Sequence, residues 1–168
     1  MIKIAVFGHS ADSFASSQSI AHNIDDAIAV IKRQHPEKDV CFILNCEPGI
    51  GQWFCDALLE HQIPYEVYLP GLPQETACSW LEEQQILFMQ QLNKSKAVRF
   101  FGEGNAVEFR IKRDRKAVDD SQWILVFWNG KHQGFTYQAM QYAIQNNKIV
   151  FNGINGLKLI DGEVLKIQ

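Results

Sequence analysis

Three short glycine-bearing stretches hold the groups best suited to chemistry: Gly8-His9-Ser10, Glu47-Pro48-Gly49-Ile50-Gly51-Gln52, and Asn129-Gly130-Lys131-His132-Gln133-Gly134-Phe135-Thr136. Glycine lets backbone approach a phosphate closely, and hydroxyls and free N–H groups add hydrogen bonds. Each stretch alone is also an ordinary turn. A basic run, Arg110, Lys112, Arg113, Arg115 and Lys116, is interrupted by Asp114 and closed by Asp119 and Asp120. Most of it reads as a solvated helix face, from which one arginine could turn inward and hold a phosphate or carboxylate in a two-pronged fork.

Hydrolytic and metal chemistry find little support. His9, His22, His35, His61 and His132 are scattered without HxH or HExxH spacing, so no metal is expected. Ser10 lacks the GxSxG elbow, and no acid can be assigned to a triad. No GxGxxG follows Gly8, which sets aside dinucleotide binding in the usual Rossmann manner. No cofactor and no catalytic residue are assigned. His9 and His132 could reach a crevice and transfer protons, although polar loop histidines are commoner.

These loops need elements to position them, and the composition supports a core. At 168 residues and 46% hydrophobic, the chain is expected to be one domain, residues 1–168, that folds without disulfides. Its net charge of -3 makes nucleic acid an improbable partner, because such binding rests on clustered cations. Cys41, Cys46, Cys55 and Cys78 show no CxxC pairing, as expected of reduced thiols in a cytoplasmic protein. No run approaches the roughly 20 apolar residues of a membrane span.

Strand-length apolar runs alternate with segments of helical period, the pattern of a Rossmann-like, doubly wound α/β fold with a mainly parallel sheet and helices on both faces. Strands are predicted at Lys3–Gly8, Asp39–Asn45, Pro64–Leu69, Ala97–Phe101, Trp123–Trp128 and Lys148–Phe151. Helices are predicted over Ser16–Arg33, from Gln52, over Gln74–Asn93, Asn105–Asp119 and Phe135–Asn146. A short C-terminal β-hairpin is predicted about Asp161-Gly162. Sequence does not decide whether the fourth or the fifth strand lies beside the first. In such a sheet the loops at the carboxyl ends of the strands line the ligand crevice.

Read in order, Gly8-His9-Ser10, Pro48-Gly49-Ile50-Gly51-Gln52-Trp53, the Pro70 strand end with Trp80 beyond it, Arg113 to Asp119, and Gly134-Phe135-Thr136-Tyr137 resemble the SLOG superfamily. That Rossmann-like group includes the LOG phosphoribohydrolases, the Smf/DprA proteins and the YpsA-like proteins, and the YpsA-like branch is the most similar. The likeness runs from Lys3 to about Phe151. It implies a phosphate-cradling pocket for a nucleotide-derived ligand, formed by Gly8, His9, Ser10, Pro48, Gly49, Gly51, Gln52, Arg113, Asn129, Gly130, Gly134 and Thr136. Gln52 replaces a common acid, Asp114 an asparagine, and Phe135 the middle glycine of a Gly-Gly-Thr motif. Hydrolytic members carry glutamates where this chain has Gln138 and Ala139, and an amide cannot stabilise an oxocarbenium ion or take a proton as a carboxylate does.

The expectation is therefore a nucleotide sensor or binding domain with little catalysis. Its rivals are a nucleotide phosphoribohydrolase or related N-glycosidase, with Glu47 or Glu103 substituting, and a scaffold acting through the aromatics around Trp53 and Trp80. A homo-oligomer is compatible with each. Arg113 and the Gly134–Thr136 loop are expected to meet at one anion site.

Overall fold

The alternation of apolar runs and amphipathic segments yields one seven-stranded sheet in the computed structural model, which describes residues 1–14, 17–37 and 39–162. The strands are β1 (Ile2–Gly8), β2 (Val40–Leu44), β3 (Tyr65–Leu69), β4 (Ala97–Phe100), β5 (Trp123–Phe127), β6 (Ile149–Asn152) and β7 (Lys158–Leu159). The helices are α1 (Ser17–Gln34), α2 (Ile50–Glu60), the single turn α3 (Pro73–Thr76), α4 (Glu82–Lys94), α5 (Val107–Asp119) and α6 (Gly134–Gln145). The order is β4-β3-β2-β1-β5-β6-β7, parallel throughout except that β7 runs antiparallel to β6.

Because successive strand residues point to opposite faces, each central strand feeds two cores. Ile4, Val6, Phe42, Leu44, Leu125 and Phe127 pack under α1, α2 and α4. Ala5, Phe7, Ile43, Ile124 and Val126 pack with residues of α5 and α6. That two-sided burial explains why the strands read as continuous apolar runs. β5, not β4, is the second neighbour of β1. The chain therefore winds outward from β1 through β2 to β4, then returns and winds the other way, making the carboxyl end of β1 a topological switch point, where α/β sheets hold their ligands.

One expectation needs adjustment, and two fall partly outside the described residues. The helix predicted over Gln74–Asn93 is broken between α3 and α4. Gln85 Nε2 donates to the carbonyls of Ala77 (3.0 Å) and Trp80 (3.1 Å), and the Leu81 N–H donates to Gln84 Oε1 (3.1 Å). These side-chain amides give the backbone an alternative to helix at Cys78–Leu81. The hairpin about Asp161-Gly162 has its second arm at 163–168, outside the described residues, as is Ser16, the predicted start of the first helix. The antiparallel pair present is β6 with β7.

Among the described residues no helix is long and apolar enough to cross a membrane, and no group of three or more His, Cys, Asp or Glu is placed to hold a metal ion.

Candidate functional site

β1 ends at Gly8, and the chain turns through His9 and Ser10 against the start of α2. A Cβ on Gly8 would stand 2.4 Å from Cβ of Ile50, and one on Gly49, whose φ is +103°, would stand 2.6 Å from the backbone N of Ala11. The two glycines thus let the first and second loops lie in contact. The Ile50 N–H donates to the His9 carbonyl (3.3 Å) and the Gln52 N–H to the Glu47 carbonyl (2.9 Å), so α2 spends N-terminal donors inside the protein. Gln52 is buried, and its Nε2 donates to the Gln84 carbonyl (3.0 Å) while its own carbonyl accepts from Gln91 Nε2 (3.0 Å). Gly51 lies against Asn45 Oδ1. Gly49, Gly51 and Gln52 therefore serve as packing behind the crevice.

In front of them opens a cavity of about 250 Å³, walled by Gly8, His9 and Ser10 after β1, Asn45 and Glu47 after β2, Arg110, Arg113 and Asp114 of α5, and Phe135 and Thr136 of α6. Arg113 and Thr136, distant in sequence, share it. A chamber of about 410 Å³ adjoins, sharing Ser10, Glu47 and Arg110 and including Pro48. Asn129, Gly130 and Gly134 are exposed in the loop that leads into α6.

The charges form one connected set. Arg113, 2% exposed, donates from Nη1 to Glu47 Oε1 (2.6 Å) and from Nε to Asp114 Oδ1 (2.9 Å). Arg110 Nη2 reaches Glu47 Oε2 at 3.4 Å, and its guanidinium lies 4.1 Å from the centre of the Phe135 ring. Arg110 Nε is buried without a partner. The fork expected to await an anion at Arg113 is thus committed at two of its nitrogens to carboxylates. Unpaired, a buried guanidinium would cost far more than a loop anion returns.

Burial alone would raise the Glu47 carboxyl, but Arg113 and then Arg110 outweigh it and hold it below the ordinary range. Asp114 goes the other way: burial raises its carboxyl more than Arg113 lowers it. Burial, with the charge of Lys131, lowers His9, which suits the acceptor role of its Nε2 toward the Asn129 N–H (3.1 Å). That acceptor requires the neutral imidazole.

Helix α6 brings its N-terminal donors to the cavity wall. No side chain caps its first turn, Gln133 at the cap being extended, and the first turn of a helix has no intrahelical acceptors for its N–H groups. Gly134 enters with φ +90°, and Thr136, 5% exposed, adds a hydroxyl. An anion meets the positive end of the helix dipole there.

Glu47, in the second glycine loop, and Arg110, in the basic run, join the wall although the resemblance did not place them among the pocket residues. For Arg110 the signal is present on α5, where Arg110, Arg113, Asp114 and Ala117 fall at i, i+3, i+4 and i+7, one face of a helix. Counting the segment as a charge run concealed that three charged residues share the stripe that packs inward.

No protein-family model and no curated protein matches the chain. Among solved structures the fold is similar to that of DNA processing protein A (DprA) from Streptococcus pneumoniae. The TM-score is 0.66 at 15% sequence identity, over 89% of this chain and 49% of that one. This chain therefore spans about half the length of DprA. At that identity the likeness concerns the fold, and it agrees with the fold implied by the sequence motifs, whose group includes the DprA proteins.

Proposed function

We propose that the chain is a SLOG domain near the YpsA-like branch, that it binds a nucleotide-derived ligand carrying phosphate and ribose at the carboxyl edge of the sheet, and that it acts as a sensor or binding domain. One observation carries the reading: at the switch point beside β1, a single cavity gathers the β1 loop, the β2 loop, α5 and the uncapped start of α6. The α6 N–H groups and the Thr136 hydroxyl suit a phosphate. Glu47, about a fifth exposed, suits ribose hydroxyls as an acceptor. A DNA ligand of the kind named for DprA is disfavoured by the net charge of -3 and by carboxylates within the cavity.

A second reading, phosphoribohydrolase or N-glycosidase action, is favoured by one feature: Glu47 is an ionised carboxylate on the cavity wall. Gln138 and Ala139 argue against it, and Gln138 lines a different cavity, between α5 and α6.

Thermal shift against nucleoside monophosphates, ribose 5-phosphate and ADP-ribose tests the first reading. A ligand held at about 100 times its Kd stabilises by about 2.7 kcal/mol, a rise of several degrees. Chromatography of the same mixtures is expected to show no free base. A base released by the wild type and lost with Glu47→Gln would establish the second reading, and a flat thermal panel would sink both.

A further inference from the structure

The break between α3 and α4 has a spatial result: it brings Ser79, Trp80 and Leu81 to the carboxyl edge of the sheet, where they line the 410 Å³ chamber with Pro48, Gln84 and Asn105. Trp80 is half-buried, anchored edge-to-face on Phe88 at 4.9 Å and 70°. Leu81 lines the same chamber and is 61% exposed, an apolar surface left to water. Around these flat and apolar walls stand short polar groups. Gln84 Oε1 is taken by the Leu81 N–H, which leaves its Nε2 as the donor, and Asn105 is exposed on the loop before α5.

Apolar faces with amide edges match one ligand chemistry, a planar heteroaromatic base with a hydrogen-bonding rim. The smaller cavity has Phe7 and Phe135 among its walls, but the Arg110 guanidinium already lies over the Phe135 ring, and what it adds is the start of α6 and Thr136. Together the two spaces fall within the size range of small-molecule sites. Glu47 and Arg110 stand where they join.

We infer that the larger chamber is a nucleobase subsite, with Trp80 and Leu81 as its apolar faces and Asn105 and Gln84 at the base's polar edge, and that the ligand crosses the Glu47–Arg110 junction at its sugar with the phosphate toward Thr136. This rests on the function proposed above and adds the orientation of the ligand. A purine covers more of the apolar wall than a pyrimidine, so purine nucleotides bind more tightly.

Calorimetric titration with AMP, UMP and ribose 5-phosphate tests it. For the wild type AMP binds about ten- to a hundredfold more tightly than ribose 5-phosphate, the range expected for stacking one base, with UMP between. Trp80→Leu keeps an apolar side chain while removing the ring, and it brings the AMP to ribose 5-phosphate ratio near one. Asn105→Ala, at an exposed loop position, narrows the AMP to UMP difference and provides an independent arm should Trp80→Leu unfold. A ratio that survives in Trp80→Leu, an unchanged base preference in Asn105→Ala, or a wild type that binds ribose 5-phosphate as well as AMP overturns the subsite while leaving the phosphate end standing. A wild type that binds none of the three probes refutes the proposed function itself.

Discussion

Arg113 is among the largest fully buried side chains, and its charge is tolerable there because Glu47 and Asp114 share it. Removing one member of such a set leaves the others uncompensated, a loss of about 3–5 kcal/mol. Arg113→Ala should therefore reduce stability by about that much in urea unfolding, whereas an Arg113 held ready for an anion would be expected to spare the fold. A loss below about 1 kcal/mol would contradict the structural role. Glu47 supplies a pH dependence with a definite sign. Its folded carboxyl is held below the ordinary value, so its contribution is fully present above an unfolded value of about 4.3 and disappears as pH falls through the lower folded value. Asp114, raised by burial, has the opposite sign and costs stability as pH climbs from the ordinary carboxylate value to its own. Denaturation at a series of pH values should show the stability gap between wild type and Glu47→Gln closing at the acid end, and a gap independent of pH would count against the assignment. That Arg113 turns inward, onto the wall of a cavity, was legible from the sequence, but its partners were not. Glu47 lies 66 residues away, and no local pattern links them.

At the scale of elements, the strands and most helices were readable because two-sided burial writes long apolar runs and α1 keeps a clean apolar stripe. The exception at Cys78–Leu81 turned on Gln84 and Gln85, whose amides hydrogen-bond backbone they adjoin; periodicity cannot see which rotamer a glutamine takes. Loop glycines were legible as a class, yet their tasks separate only in three dimensions. Gly49→Ala combines a left-handed φ with overlap on the backbone of Ala11 and His9, while Gly134→Ala meets the strain alone, with nothing within 4 Å of the added Cβ. The first substitution should cost clearly more than the second, itself about 1–2 kcal/mol. Equal costs in chemical denaturation would show that the loops separate easily. His9 joins the β1 loop to the β5 loop through the Asn129 N–H. By NMR its midpoint should lie below the usual 6.5, and Lys131→Ala should move it part of the way back, since burial is the larger cause and Lys131 the smaller. Protonation breaks that bond, so the β1–β5 loop contact weakens as pH falls through the His9 midpoint.

For the whole molecule, β1 and β5 are flanked by strands on both sides and covered on both faces, whereas β4 and the two-residue β7 form the sheet's borders. Native-state hydrogen exchange should be slowest in β1 and β5 and fastest at β4 and β7, and equal protection across the sheet would argue against this order. Strand membership was written in the sequence, but β5 as neighbour of β1 was not, since the choice depends on which face α5 covers. The resulting pairing also governs how the chain comes to exist. Lys3 and Gln122, hydrogen-bonded where β1 meets β5, are 119 residues apart. At about 5–20 residues per second, a ribosome takes roughly 6–24 s to synthesise that interval. During it the nascent β1 can pair with β2 on one side only. The other border, from Ile4 to Gly8, awaits a partner not yet translated, and unpaired apolar strand borders are adhesive. Closing so long a loop is also slow. The switch point that makes room for a ligand thus leaves the newborn chain exposed longest at its first strand, where a chaperone has most to protect.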